Sequence, residues 1–489
     1  MYYAPPGLCL NDFSVLATPD GWRVLHLQAP PLDPFDAAVL ETSFGLAHST
    51  DLVNWQPLGP AFGIARPGAF DDSAVWTMSH VPLPDGGLAM FYTGVTNHPR
   101  HRQAVGLACS PRADGTDWLR QGIRPVTEAD PRWYRVDEHA GWRDPFVVHD
   151  PDGFGCWVMA VCARAAGLDP EHGGCVGLAL SDDLVNWRIQ PPLLVPGDIS
   201  ELECPVLERA PGGGWYLLGS VGPAHVVVAW QAETLTGEWQ RLGPIAPAGP
   251  YAPRLTDAHG DRVLLHTLQR RAGLTDGGTL GRGVLAPPKL WVTSPGAAPH
   301  LRWWPGMEKH LAVPSEAPAH DASVLLHVDH PERVDVEFAH NVEFAHKQPG
   351  PLVLTVTARE ASIGYQGRPP LQTVPLPRPA ESSLRVLRAG EFIEVFLDDR
   401  LVIATCAYTG TCQGVTARVD GHPAAPNIQE IIGGGIERDD LSAVIHRPIS
   451  ATKSLSHVET SVSLLWQVMV PARVIKARNW PTALVARPA

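Results

Sequence analysis

Along the first three hundred or so positions, short apolar runs recur in pairs, separated by turn residues. Phe44-Gly45-Leu46-Ala47-His48-Ser49-Thr50-Asp51-Leu52-Val53-Asn54-Trp55 is echoed by Val176-Gly177-Leu178-Ala179-Leu180-Ser181-Asp182-Asp183-Leu184-Val185-Asn186-Trp187. A weaker copy, Val105-Gly106-Leu107-Ala108-Cys109-Ser110 with Trp118 beyond it, lies between them, and 226–239 is a more degraded fourth. Each copy follows another apolar run, at 22–28, 88–94, 156–162 and 215–221, and the runs 262–269 and 284–293 supply a fifth unit. Runs of this length bounded by Gly and Pro read as strands, and 46 Gly with 49 Pro leave little room for long helices. The anchors Gly45, Gly106, Gly177 and Val227 recur about every 60 residues, the size of one four-stranded blade with its loops. The pattern predicts an all-β fold whose first domain, residues 1–295, is a five-bladed β-propeller.

Residues 296–320, rich in Pro, Ala and Gly around Trp303-Trp304-Pro305, read as a linker. Beyond it, strand-like runs at 323–328, 334–338, 352–356, 383–387, 392–397 and 401–407 predict a β-sandwich domain over 321–489. It carries no acidic motif comparable to those of the propeller, which gives it a packing role. Its C-terminal extension, from about residue 439, holds the apolar run 464–470 but no periodicity that joins it to the sandwich.

Composition removes several function classes. A net charge of -13 with no basic stripe excludes a nucleic-acid partner and suits a neutral or cationic small molecule. No apolar run is long enough to span a bilayer. Met1-Tyr2-Tyr3-Ala4-Pro5-Pro6 lacks the basic and apolar regions of a signal peptide, so the expected location is cytoplasmic unless a leader has been removed. Eight cysteines are too sparse for a disulfide framework, and the spacing of Cys156 and Cys162 is not that of a zinc site, so buried thiols are expected. Gly277-Gly278-Thr279-Leu280-Gly281 precedes no helical pattern and reads as a loop. No metal and no cofactor are expected.

The repeated Ser-x-Asp-Leu-x-x-Trp reads as a polar turn followed by an aromatic packed between blades. Repeats build the scaffold, so chemistry belongs where they differ. Three acids stand beside strand runs in separate units: Asp12 in Leu10-Asn11-Asp12-Phe13, Asp144 in Trp142-Arg143-Asp144-Pro145 and Glu203 in Glu201-Leu202-Glu203-Cys204-Pro205. A buried carboxylate costs solvation energy, so such residues are either paired or used. Cleavage of a glycosidic bond needs a proton donor and a second carboxylate across an oxocarbenium-like transition state. Structural readings stand beside this one: Asp12 as a turn residue bonding its own backbone, Arg143 and Asp144 as an ordinary ion pair.

In order, Leu10-Asn11-Asp12, 44–55, Ser73-Ala74-Val75 leading to Phe91-Tyr92-Thr93-Gly94, Trp142-Arg143-Asp144-Pro145, Glu203-Cys204-Pro205 and Tyr251-Ala252-Pro253 resemble glycoside hydrolase family 32, the β-fructofuranosidases, levanases and inulinases. Phe392-Ile393-Glu394-Val395-Phe396-Leu397 resembles the family's sandwich strand, so the likeness covers roughly residues 8–410. It implies Asp12 as nucleophile, Glu203 as general acid/base and Asp144 as transition-state stabiliser, with Arg143 beside it. It further implies Asn11, Gln28, Asp72, Ser73 and Trp76 as contacts to a carbohydrate substrate.

The chain departs from the family pattern after Asp12, where Phe13-Ser14-Val15 replaces the usual Pro-Asn-Gly, and at Asp71-Asp72-Ser73, which replaces a Ser-Gly-Ser turn. The two added carboxylates are expected to make the pocket more negative. The reading is a retaining β-fructofuranosidase acting on sucrose, fructo-oligosaccharide or fructan, with transglycosylation as a possible second outcome. The alternatives are an inverting furanosidase similar to glycoside hydrolase family 43 and a carbohydrate-binding pseudoenzyme.

Overall fold

The computed structural model describes residues 1–30, 40–97, 101–137, 140–222, 224–312, 322–340, 350–408 and 412–431; the C-terminal extension considered above lies outside them. The chain is built from antiparallel sheets and follows the blade pattern. Blade I spans the strands Cys9–Thr18, Gly21–Ala29, Ser43–Ser49 and Gln56–Gly63. Blade II runs from Ala74–Pro82 to Leu119–Arg120, blade III from Trp142–Asp150 to Arg188–Leu194, and blade IV from Leu202–Arg209 to Gln240–Pro244. Blade V begins with Pro250–Ala258 and Asp261–Arg271. The first strands of the five blades neighbour one another in a closed ring.

The repeated sequence forms the third strand of each blade and the turn after it. In blades I and III the turns are superimposable in their bonding. Asp51 Oδ1 accepts the backbone N–H groups of Val53 and Asn54 at 2.9 and 2.8 Å, and Asp183 Oδ1 accepts those of Val185 and Asn186 at the same distances. The indole N–H groups of Trp55 and Trp187 then donate to Leu52 and Leu184. Trp187 packs edge-on against Phe91 of blade II at 5.4 Å, the inter-blade contact expected of it. Glycine at the repeat anchor is a packing requirement: a Cβ at Gly177 would lie 2.9 Å from the Trp142 ring.

Blade V corrects the expected boundary. Its third strand is split, as Leu280–Leu285 and Lys289–Ser294, around Ala286-Pro287-Pro288, where two prolines cannot donate to a ladder. The outermost strand, Ala297–Trp303, pairs with Lys289–Ser294, so the segment read as the start of a linker belongs to the propeller. Alternating burial of Pro299, Leu301 and Trp303 shows the strand period that its small, proline-rich flanks obscured.

The first half of that split strand also pairs with Cys9–Thr18 of blade I, through Leu10 and Gly283, and Tyr3 bridges Leu285. The ring is therefore sealed between the start of the chain and blade V. At the opposite edge Arg302 pairs with Arg400 of the sandwich, so one hydrogen-bonded sheet runs from blade I through blade V into the second domain. The sandwich sets the far end of that sheet, with the strands Ala322–His327, Ser383–Ala389, Phe392–Leu397 and Arg400–Cys406, against a second one made of Arg333–His340, Leu352–Thr357, Glu360–Tyr365, Gln372–Pro375, Cys412–Val419 and His422–Ala424. Val336, Leu354, Ile363, Val386, Ile393 and Ile403 fill the space between them. Seven of the eight cysteines are buried free thiols and Cys109 is half-buried. No helix among the described residues is long and apolar enough to cross a membrane.

Candidate active site

The first strand of every blade breaks register at its axial end: between Leu10 and Phe13, Trp76 and Met78, Arg143 and Phe146, Glu203 and Val206, and Tyr251 and Arg254. A bulge bends the strand and re-aims the side chains beside it. Here five bulges aim into one hollow. Asn11 and Asp12, Trp76 and Thr77, Arg143 and Asp144, Glu203, and Tyr251 all line a cavity of about 480 Å³. In blades III to V the bulge is a residue with positive φ followed by proline: Asp144 (59°), Cys204 (49°) and Ala252 (47°).

Such a backbone costs roughly 1–3 kcal/mol per residue and persists only where its surroundings hold it. The exposed N–H groups are met from the neighbouring blade. Thr93 Oγ1 accepts from Asp144 N at 2.9 Å and Ser220 Oγ accepts from Ala252 N at 3.0 Å. Thr93 and Ser220 occupy matching positions on second strands, opposite Trp76 and Glu203; the residue at that position in blade III is Cys162. A thiol is a poor acceptor, and Cys204 N is met instead by Asp144 Oδ2 at 3.0 Å. Asp144 thus has one oxygen fixed by the fold.

Charge in the cavity is only partly compensated. Arg143 Nη2 donates to Glu203 Oε1 at 2.6 Å and lies 3.1 Å from Glu201 Oε1, which Arg164 also holds at 2.8 Å. The Tyr251 hydroxyl donates to the other Glu203 oxygen, and the Thr77 hydroxyl donates to Asp12 Oδ2. Arg254 is buried beneath them. Its Nη1 donates to the Pro253 carbonyl, while Nε and Nη2 have no hydrogen-bond partner among the described residues. Burial, then repulsion from Asp144, pushes the Asp12 carboxyl up to about 7, against the hydrogen bond from Thr77; Glu203 adds to the rise and Arg254 opposes it. Burial also raises Glu203, against the attraction of Arg143, with Glu201 and Asp144 adding to the rise. Crowding and burial thus hold both Asp12 and Glu203 towards the protonated form.

Of the residues expected at the site, Asn11, Asp12, Trp76, Arg143, Asp144 and Glu203 line the cavity, and Gln28, Asp72 and Ser73 do not. Gln28 donates to Ser43 within blade I at 3.1 Å. The Asp72 carboxylate accepts the N–H groups of Gly68 and Asn97 at 2.7 and 2.8 Å, and Ser73 N donates to the Val95 carbonyl. The Gln28 and Asp72 side chains are thus spent on local structure, and Ser73 is held there by its backbone. Asp71 is fully buried and pairs with Arg120 at 2.7 Å, so its charge is neutralised inside blade II and does not reach the cavity. Sequence reasoning missed Thr77, and it gave Tyr251 no role. A signal for Tyr251 was present: Tyr251-Ala252-Pro253 has the same offset to proline as Arg143-Asp144-Pro145 and Glu203-Cys204-Pro205.

Oxygen atoms of Asp12 and Asp144 and the Cys204 sulfur lie within 4.8 Å of one another. They are a poor cation site: burial pushes the Cys204 thiol well above its usual range, keeping it protonated, and Asp144 Oδ2 already accepts a backbone N–H.

Carboxyl groups from three blades converging on one axial cavity fit the class of five-bladed glycoside hydrolases. Residues 2–238, just under half of the chain, match the family model "Glycosyl hydrolases family 32 N-terminal domain", which supports membership of that family. It is similar to beta-fructofuranosidase 1 of Zea mays, 30% identical over 206 residues, which cover 40% of this chain and 28% of the maize protein. The aligned region is thus about a quarter of that relative's length. Among solved structures it is similar to sucrose-6-phosphate hydrolase from Lactobacillus gasseri, with a TM-score of 0.68 and 16% identity over 88% of this chain and 93% of that one. A Bombyx mori GH32 beta-fructofuranosidase mutant in complex with sucrose gives a TM-score of 0.65 at 18% identity, covering 88% and 93%. At these identities the structural likeness speaks for the fold.

Proposed function

We propose that this chain hydrolyses β-fructofuranosides, sucrose or a fructan among them, with retention of configuration. The observation that carries the reading is the convergence of Asp12, Asp144 and Glu203 from three blades on one cavity, with Glu203 gripped by Arg143 and Tyr251. In this reading the ionised Asp12 attacks the anomeric carbon while the bond to the leaving oxygen breaks and Glu203 gives that oxygen its proton. A glycosyl ester on Asp12 results. Glu203, now a carboxylate, takes a proton from water, whose oxygen displaces Asp12 and frees the sugar. A second sugar hydroxyl in place of water gives transfer instead of hydrolysis. Asp144, fixed through Cys204 N, accepts from sugar hydroxyls, and Trp76 offers a face to the ring. The raised Asp12 and Glu203 carboxyls support a resting state with one proton between them, as one nucleophile and one acid require.

The test is to follow sucrose turnover by NMR and assign the first anomer released. The β-furanose form appearing first supports the double displacement. The α form appearing first replaces it with a single displacement by water, and sucrose binding without any turnover replaces it with a binding role.

A further inference from the structure

Where the propeller meets the sandwich, the one register pair joining their sheets among the described residues is Arg302 opposite Arg400. Like charges directly opposite on a ladder repel. His300 and Arg378 complete the lining, with Asp398, of a pocket of about 360 Å³ that shares no residue with the axial cavity. We propose that this pocket binds a tetrahedral phosphate dianion, free or carried as the monoester of a small metabolite.

The acids nearby are already committed. Asp398 accepts the backbone N–H groups of Glu381, Ser382 and Ser383 at 3.0, 2.8 and 3.0 Å, and the Ser382 hydroxyl at 3.0 Å. Asp399 holds Arg302 at 3.0 Å, and Glu381 lies 3.3 Å from Arg378. The Arg400 guanidinium has no hydrogen bond or ion pair among the described residues, although the residue is only partly exposed. Burial, with Arg400, Arg302 and Arg378 around it, holds the His300 imidazole below its usual range, which leaves it a neutral donor. Three guanidinium groups offer planar forks of N–H donors suited to bidentate bonds with phosphate oxygens. Arg302 and Arg378 each have a carboxylate partner, so the hold on an anion rests on the Arg400 guanidinium together with the donors that His300, Arg302 and Arg378 have left, which several oxygens of one tetrahedral ion can take at once.

The test is calorimetric titration of the full chain with inorganic phosphate and, separately, with glucose 6-phosphate, against sodium chloride and glucose as matched controls. Saturable binding of inorganic phosphate is expected, weakened about tenfold or more by Arg400→Gln and by Arg378→Gln, with sucrose turnover unchanged in both variants. Equal affinity for the two probes assigns the site to the free ion, and tighter glucose 6-phosphate binding assigns it to the monoester. Arg378 is exposed, so its substitution keeps the test open if Arg400→Gln lowers the yield of folded protein. No saturable phosphate binding, or equal binding by wild type and the Arg378→Gln variant, overturns the proposal. Because turnover is read in the same samples, failure here stays separate from failure of the hydrolase reading.

Discussion

Two regions of this molecule take carboxylates out of water and do opposite things with them. At the junction of blade V with the sandwich, Glu394 is fully buried. It accepts from Lys289 Nζ at 2.6 Å and from the Tyr2 hydroxyl at 2.9 Å, with His266 Nε2 3.4 Å away. Burial alone would raise its carboxyl, but Lys289 and His266 outweigh that and hold it at about 2. In the axial cavity Asp144, Glu201 and Glu203 crowd around Arg143, only Arg254 opposes the rise at Asp12, and the Asp12 and Glu203 carboxyls are pushed up instead. Compensated buried charge fastens two domains together. Uncompensated buried charge leaves protons that can move at neutral pH.

The largest expected contrast comes from the same substitution made in both places. Glu203→Gln should lower kcat on sucrose by about 10³-fold, since it removes the proton donor, while the melting temperature holds or rises as repulsion among the acids is relieved. Steady-state kinetics and calorimetry on one preparation check both halves. Glu394→Gln should leave turnover per folded molecule intact but strand the Lys289 cation, lowering unfolding free energy by roughly 3–5 kcal/mol in denaturant titrations. The sign of its pH dependence follows from the depressed carboxyl. The stabilisation is fully present above the ordinary glutamate range and is lost as pH falls towards about 2, so the gap between wild type and variant should close across that window. The smallest effect is expected from Tyr251→Phe. Loss of a donor to ionised Glu203 raises that carboxyl further, moving the alkaline limb of kcat/KM to higher pH, with a fall in kcat of about tenfold.

The contrast also explains what the sequence made legible. Blades announced themselves because each repeats one strand-turn-strand unit, with Asp51 and Asp183 capping identical turns, and repetition needs no knowledge of the partner strand. Asp12, Asp144 and Glu203 were readable as acids set against apolar runs. Gln28, Asp72 and Ser73 were misplaced because whether a polar residue faces the axis depends on bulges and loop closure that composition does not encode. The strand Ala297–Trp303 was hidden because Pro295-Gly296 before it and Pro299 within it read as the start of a linker. Thr77 carries no charge to draw notice, and only the convergence of five strands gives it a place beside Asp12.

The seam of the circle lies two residues from Asp12, where Leu10 meets Gly283. Gly283 has no side chain because the Leu268 carbonyl occupies the space a Cβ would need. Whatever loosens that clasp dislodges the candidate nucleophile before any single blade has unravelled. Turnover therefore serves as a reporter of an unbroken circle: molecules whose first strand has let go would fall silent while still looking almost entirely folded.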